Sequence, residues 1–467
     1  MRTSLIIAVL CMLPGVACTA DHSGDGEPAF RSLYKELVET NTSLSAGSCT
    51  LAAERMTAHL RAAGYSESDA HVFTDPDHPR DGGLVAQLTG SDPTRKAVLM
   101  LAHLDVVEAR RADWARDPFT LVEEGGYFYG RGASDDKAMA AIFTDLLIRY
   151  RQEGFKPKRT IKLALTCGEE TGGAFNGAHY LATQHMDWID AAFAVNEGGD
   201  GELDERGKPA IFGVEAAEKV YQDYQVETVN PGGHSSRPVA DNAIYEMAVA
   251  LQHVGALEFP IQFNDTTRAY FSTMSSVVGG ATGAAMLALL KDPADAGADA
   301  IVSADRKWHS MLRTTCVATM IDGGHATNAL PQRVDANVNC RIVPGTSIEA
   351  VRDAISKAID DPKVSVTIKE PRSPATPSPT LSPLVMKPIS TVAAALFPGV
   401  PVLPTMETGA TDGIYLTAVG IPTYGVSGIF VDPDFGNIHG LNERVGVQAL
   451  MDGRRFQYRL FKLYANQ

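Results

Sequence analysis

Four short clusters combine residue types and spacings that suit catalysis. In Ala-His-Leu-Asp, His103 and Asp105 stand two apart, so on an extended backbone both side chains point to one side. A carboxylate there can accept one imidazole N–H, fix the tautomer and leave the other nitrogen for a metal ion. Residues 130–137, Gly-Arg-Gly-Ala-Ser-Asp-Asp-Lys, form a glycine-punctuated turn carrying Asp135 and Asp136. At this level the two carboxylates have equal claim to a metal. Glu169 and Glu170 follow Gly168, and Glu197 lies in Asn-Glu-Gly-Gly. Adjacent carboxylates repel, so such a pair needs solvent or cations; one can ligate a metal while the other takes a proton from water. Each cluster alone reads as a solvated polar loop. Together they offer imidazole and carboxylates without thiolate, the donor set of a hydrolytic zinc centre.

The hydrophobic pattern supplies elements to position them. Residues 83–88 and 97–102 read as strands, the second apolar throughout, which suits a strand covered on both faces. Over 136–150, Met139, Ile142, Phe143, Leu146, Leu147 and Tyr150 form one helical stripe. Asp135 and Asp136 would lie at the positive end of that helix dipole. Strands at 161–165 and 191–195 and helices at 30–39, 51–63 and 176–185 complete an alternating pattern, which predicts an α/β sheet flanked by helices. His103/Asp105, Asp135, Glu169/Glu170 and Glu197 then fall at four consecutive strand ends, where ligands collect in open α/β sheets.

After Gly213 the character changes. Strands at 220–227, 315–321, 334–342 and 364–368 and helices at 242–254 and 347–359 describe a small α+β unit inserted in the larger domain. Residues 255–312 receive no assignment. A proline-rich stretch at 371–383 reads as the return linker, and 447–464 as a closing helix. The expected organisation is a catalytic domain from 28–213 and 373–467, its sheet mixed and mostly parallel, with residues 214–372 as the insert.

At 467 residues the chain exceeds one ordinary core. A net charge of -15 argues against nucleic acid and anionic membrane surfaces as partners. Arg2, an apolar run over 5–13 and small residues up to Ala20 read as a secretory signal peptide over 1–20, too short to span a bilayer. Cys18, after Val16 and Ala17, offers a lipid anchor as the alternative. Export is expected in either case, to the periplasm or beyond. Cys49, Cys167, Cys316 and Cys340 form no framework and no Cys-x-x-Cys pair. They read as buried free thiols, with one bridge open to them in an oxidising compartment.

From about Phe30 onward the sequence resembles the two-zinc metallopeptidases that include aminoacylase, carboxypeptidase G, succinyl-diaminopimelate desuccinylase and carboxypeptidase S. The resemblance rests on six ordered motifs: those at 102–105, 130–137, 168–172 and 196–199, Gly-Gly-His-Ser-Ser at 232–236 and Asn-Ile-His-Gly at 437–440. It implies that His103 and Glu197 bind one zinc, Glu170 and His439 the other, and that Asp135 bridges both ahead of a cis peptide bond. Asp105 would orient His103, and Glu169 would be the general base. His234, on the inserted lid, would stabilise an oxyanion, often from the partner of a homodimer formed through that lid. Asn328 and Arg341 match a substrate-binding pair in which the Arg meets a carboxylate, and His325 stands close to them. Gly409, Ala410, Thr411 and Asp412 match a loop at the same end of the substrate. This chain reads Glu407-Thr408-Gly409-Ala410-Thr411-Asp412 where the family often has Ser-Gly-Gly-Thr-Ser-Asp. The implied activity is zinc-dependent hydrolysis of an amide bond in a short peptide or N-acyl amino acid with a free carboxylate. The alternatives are an aminopeptidase and a catalytically silent metal-binding protein on the same fold.

Overall fold

A strand apolar up to its last residue needs cover on both faces, and Val98–His103 is buried at every position. Val98, Met100 and Ala102 face one apolar core, Leu99 and Leu101 the other. The structure is a computed structural model that describes residues 26–171, 175–374 and 376–467. The expected signal peptide, its cleavage near Ala20 and the lipid-anchor position Cys18 lie outside the described residues.

Val98–His103 sits in a ten-stranded mixed sheet. It runs parallel to Ile161–Thr166 on one side and to Phe193–Asn196 on the other, and Thr423–Gly425 continues the parallel centre. His78–Leu88 and Ala70–Asp75 extend one edge antiparallel. On the far side Pro209–Glu218 takes Val402–Glu407 in parallel and Gly201–Leu203 antiparallel. Glu27–Val38, Cys49–Ala62, Lys137–Gln152, Pro383–Leu396 and Val447–Asn466 cover one face. Gly177–Gln184, Met186–Ile189 and Gly413–Ala418 cover the other. The architecture is the expected α/β sheet with flanking helices and a second α+β unit.

That unit is a four-stranded antiparallel sheet in the order Thr315–Gly323, Arg333–Ile342, Val220–Val229, Val364–Ile368. Val220, Tyr224 and Val226 pack with Val338 and Ile342 under the helices Ala243–Gly255 and Ile348–Ile359. The alternation along Val220–Val229 therefore leaves Tyr221, Asp223 and Gln225 on the opposite, open face.

Residues 255–312, unassigned from sequence, contain four helices: Asp265–Val278, Gly280–Lys291, Ala296–Val302 and Arg306–Leu312. They do not extend the small sheet. Tyr270, Phe271, Met286 and Leu289 pack on Ile211, Ala217, Leu403 and Met406, so this excursion returns to the large sheet. Where it rejoins, Lys219 is buried as the single residue between Pro209–Glu218 and Val220–Val229. Its ammonium donates to the carbonyls of Ser310 and Arg313 at 2.8 Å, and to the hydroxyls of Thr315 at 3.1 Å and Ser310 at 3.2 Å. Burial pulls this lysine down to about 7.

The expectation of free thiols fails. Cys49 pairs with Cys167 and Cys316 with Cys340 as two disulfides. The first joins residues 118 apart in sequence, a proximity that only the tertiary fold creates. The second links directly opposed residues of neighbouring antiparallel strands. Non-reducing peptide mapping is expected to recover these two cross-linked pairs. Replacing Cys316 and Cys340 by Ser opens a loop of 24 residues and should cost about 3 kcal/mol, read as a lowered Tm of the oxidised protein.

Candidate metal centre

Three neighbouring parallel strands, Ile161–Thr166, Val98–His103 and Phe193–Asn196, end along one edge of the large sheet. They deliver Glu169 and Glu170, His103 and Asp105, and Glu197. The turn before the glutamates needs Gly168, which has φ +96 and whose Cβ would meet the Phe175 carbonyl at 1.9 Å. Asp135 differs from the expected fourth strand end. It lies in a turn between the short strand Tyr127–Tyr129 and the helix Lys137–Gln152, and its bond to Asp136 is cis. Asp136 caps that helix by position but makes no side-chain capping bond. His439 arrives from the far end of the chain on a left-handed residue, φ +61.

These groups converge. His103 Nε2 lies 3.0 Å from Asp135 Oδ1 and 3.4 Å from Glu197 Oε2. His439 Nε2 lies 2.9 Å from Glu170 Oε1 and 3.1 Å from Asp135 Oδ2. Asp135 therefore gives one oxygen to each imidazole–carboxylate set. His103 Nδ1 lies 3.0 Å from the main-chain carbonyl of Asp105, whereas the Asp105 carboxylate stands 3.6 Å away. That carboxylate accepts the N–H groups of Glu170 at 3.0 Å and Glu169 at 3.3 Å. Asp105 thus orients the imidazole with its backbone and the glutamate turn with its side chain, a division the sequence reading had not separated.

With Nδ1–H donating to a carbonyl, His103 turns an Nε2 lone pair toward two carboxylates, and something positive must sit between them. Without metal, protons fill that role. Burial opposes charge on His103, but Glu197, Asp105 and Asp135 outweigh it and hold its pKa well above the ordinary range. Donation of its Nε2–H to the Asp135 and Glu170 carboxylates raises His439 to about 10. Burial pushes Glu197 up to about 7 and raises Glu169 well above a normal carboxyl. Ligand atoms of His103, Glu169 and Glu197 lie within 4.8 Å of one another, as do those of His103, Asp135 and Glu170. An oxygen- and nitrogen-rich set split by one shared carboxylate fits two divalent cations.

Glu443 and Arg131 carry functions the sequence reading missed. Glu443, 1% exposed, accepts the N–H of Ser134 at 2.9 Å and Asp135 at 3.1 Å on Oε1. Its Oε2 accepts the N–H of Gly132 at 2.9 Å and Arg131 Nη1 at 2.8 Å. Arg131 Nη2 donates to the carbonyl of Gly440 at 3.0 Å and approaches that of His439 at 3.4 Å. One ion pair thus fixes both the Asp135 turn and the His439 loop. Pairing of Arg444–Gly446 with Tyr127–Tyr129 brings them side by side. The available signals were Arg131 inside the glycine turn and an acidic residue four positions after His439. Lys137, also buried, donates to the Thr40 carbonyl at 2.8 Å, and burial pulls it down to about 7.

The remaining site residues surround this cluster without ligating it. In a separate two-stranded sheet, Gly233–His234 pairs with Ala329–Leu330, and the Ser235 N–H donates to the Asn328 carbonyl. His234 Nδ1 accepts the N–H of Ser236 at 3.1 Å, which leaves its proton on Nε2; His234, Asn328 and His325 are exposed. Arg341 stacks its guanidinium 4.7 Å over the Tyr221 ring and has no hydrogen bond or ion pair among the described residues. It is close enough to Glu169 to feel that charge. Thr411 donates its N–H to Glu218 at 2.6 Å and accepts from Asn196 at 3.1 Å. Asp412 is held by Asn176 at 2.6 Å and Thr166 at 2.9 Å. Gly409 has open space where a Cβ would point.

The profile described as Peptidase family M20/M25/M40 matches residues 99–463. The chain is 27% identical over 405 residues to the human N-fatty-acyl-amino acid synthase/hydrolase PM20D1, covering 85% of this chain and 77% of that protein. In fold it is similar to the M20 family metallo-carboxypeptidase Sso-CP2 from Sulfolobus solfataricus, with a TM-score of 0.68 and 17% identity over 93% of this chain and 99% of the other. The dinuclear metal-binding M20 peptidase YXEP from Bacillus subtilis superposes with a TM-score of 0.59 and 11% identity, covering 93% of this chain and 98% of the other.

Glu443→Gln keeps the shape of the brace but turns an acceptor oxygen into a donor facing N–H groups. It is expected to weaken metal affinity by about 10- to 100-fold, measured by competitive chelator titration of the folded protein.

Proposed function

The chain belongs to peptidase family M20/M25/M40, and on that footing we propose that it is a two-zinc hydrolase of amide bonds lying next to a free carboxylate. The observation that carries this reading is Asp135, whose two oxygens face separate imidazole–carboxylate sets; Arg341, with no side-chain ion pair among the described residues, supplies the cation for the carboxylate. His103 and Glu197 would hold one zinc, Glu170 and His439 the other, and Asp135 both. When bound, the two cations supply an acidified water and a polarised carbonyl.

The protein's own groups do the rest. Glu169, held through its N–H by Asp105, takes the proton from water on its carboxylate and returns it to the departing amine. His234 presents Nε2–H as the donor for the oxyanion. Arg341 offers a fork of N–H groups to the substrate carboxylate, with Asn328, Gly409 and Thr411 shaping that end of the cleft. An N-acyl amino acid, the substrate class named in the human relative, carries both the amide and the carboxylate. A short peptide does too. An aminopeptidase would instead reserve an anion for a free amine, whereas Arg341 offers a cation that suits a carboxylate.

Residues 214–372 serve in this reading as the lid, except for the helical excursion. The edge strand Thr315–Gly323 exposes Val317 at 60%, Met320 at 70% and Ile321 at 62%. An open strand edge with apolar side chains invites pairing, which supports a homodimer and delivery of His234 to the partner's site. Among the described residues no helix is long and apolar enough to cross a membrane. Two disulfides suit an oxidising compartment, in keeping with export under the signal-like N-terminus.

Chelation is expected to abolish hydrolysis of N-acyl amino acids and dipeptides, and zinc to restore it. Glu169→Gln should lower kcat by at least ~10³-fold while two zinc ions per chain remain by elemental analysis. Full turnover in metal-stripped protein would overturn the reading.

A further inference from the structure

An arginine that binds a substrate carboxylate must be held in place without a carboxylate of its own. Arg341 meets this requirement in an unusual way. It lies on the open face of the small sheet, directly opposite Tyr221 in the antiparallel register. Its guanidinium carbon sits 4.7 Å above the Tyr221 ring. A stacked guanidinium keeps its edge N–H groups free, whereas a salt bridge would consume them.

The ring beneath is itself fixed. Tyr221 donates its hydroxyl to Asp223 Oδ2 at 2.8 Å. Asp223 Oδ1 accepts the side-chain amides of Asn337 and Asn339, each at 2.9 Å. Asn337 also donates to Thr319 at 2.9 Å and accepts from Lys369 at 3.0 Å. These groups share one sheet face, because Asp223 opposes Asn339 and Gln225 opposes Asn337 in the same register. Burial lowers the pKa of Arg341, and the Tyr221 and Asp223 groups act against that shift.

We propose that Tyr221, locked by Asp223, is the positioning residue that presents Arg341 to the substrate carboxylate, and so sets the preference for substrates with that group free. The inference rests on the reading of Arg341 as carboxylate-binding. The ring fixes the plane of the guanidinium, and the anion behind it compensates the charge at a distance too great to compete with substrate. Removing the ring lets the guanidinium swing and lowers affinity in the ground state and transition state alike. Such a loss appears in KM and not in kcat.

The test uses the zinc-loaded full chain and two substrates, an N-acyl amino acid and its carboxamide. Tyr221→Leu is expected to raise KM for the carboxylate substrate about tenfold, with kcat within about twofold. Tyr221→Phe, which keeps the ring, should restore most of that loss and guards against a folding defect in the Leu variant. Both variants should match the unmodified protein on the carboxamide. Equal losses on both substrates, or an unchanged KM in Tyr221→Leu, would overturn the positioning role. Arg341→Ala separates the two readings. If it raises KM for the carboxylate while Tyr221→Leu does not, only the positioning role falls. If it leaves KM unchanged, carboxylate recognition by Arg341 falls first.

Discussion

The buried pair of Glu443 and Arg131 is the constraint on which the centre depends. Metal-type ligands come from residues 103–197 and from 439, and no single element spans them. Glu443 gathers three backbone N–H groups and one guanidinium on its two oxygens, and Arg131 returns the grip to the carbonyls around His439. Burying two charges costs several kcal/mol per ion, and mutual attraction offsets this only when hydrogen bonds satisfy the remaining positions. Here they nearly do; Arg131 Nε alone lacks a partner, and the guanidinium also lies 5.0 Å from the Trp114 ring. The pair is best understood as geometry. It sets where the oxygens of Asp135 point.

Much of this arrangement was legible in the sequence, for local reasons. The apolar run at 97–102 announced a central strand, and the stripe from Met139 to Tyr150 announced the helix behind Asp135. The groups at 103, 169, 170 and 197 could be ranked because strand ends are simple to locate once strands are. What escaped depended on contacts between distant segments. Cys49 meets Cys167 only after the helix Cys49–Ala62 packs beside the sheet. Glu443 carries only a faint local signal, its place four positions after His439, and its partners lie more than 300 residues away. Three of the four helices within 265–312 begin at the side-chain caps Asn264, Asp295 and Asp305, but the small and mixed residues of all four blur the periodicity that announces a helix. Asp135 does not end a strand of the large sheet: the strand before it, Tyr127–Tyr129, belongs to a separate three-stranded sheet with Arg444–Gly446, which no sequence pattern marked.

The two sheets divide the chemistry. The large one gathers negative charge at the ends of its parallel strands, where burial makes Glu169 and Glu197 hard to ionise unaided. The small one offers an unpaired cation on its open face. A net charge of -15 conceals this local reversal, which is why composition could exclude partners but not describe a cleft. In the proposed function, attraction between an anionic substrate end and Arg341 would act against the background charge of the whole chain.

Lys219 has a mechanical consequence. A single residue separates the last paired position of one sheet from the first of the other, and its ammonium is tied to four acceptors on and beside the helical excursion. The residue before it, Glu218, is bound to the loop at Thr411. The second crossing, between 371 and 383, is tied as well: Ser373 donates its N–H to Gln222 at 3.1 Å, Ser378 accepts from Asn264 at 3.1 Å, and the Thr380 carbonyl accepts from Tyr424 at 2.7 Å. The small sheet is therefore fastened to the large one where the chain leaves and where it returns, like a door with a pin at both ends of its hinge.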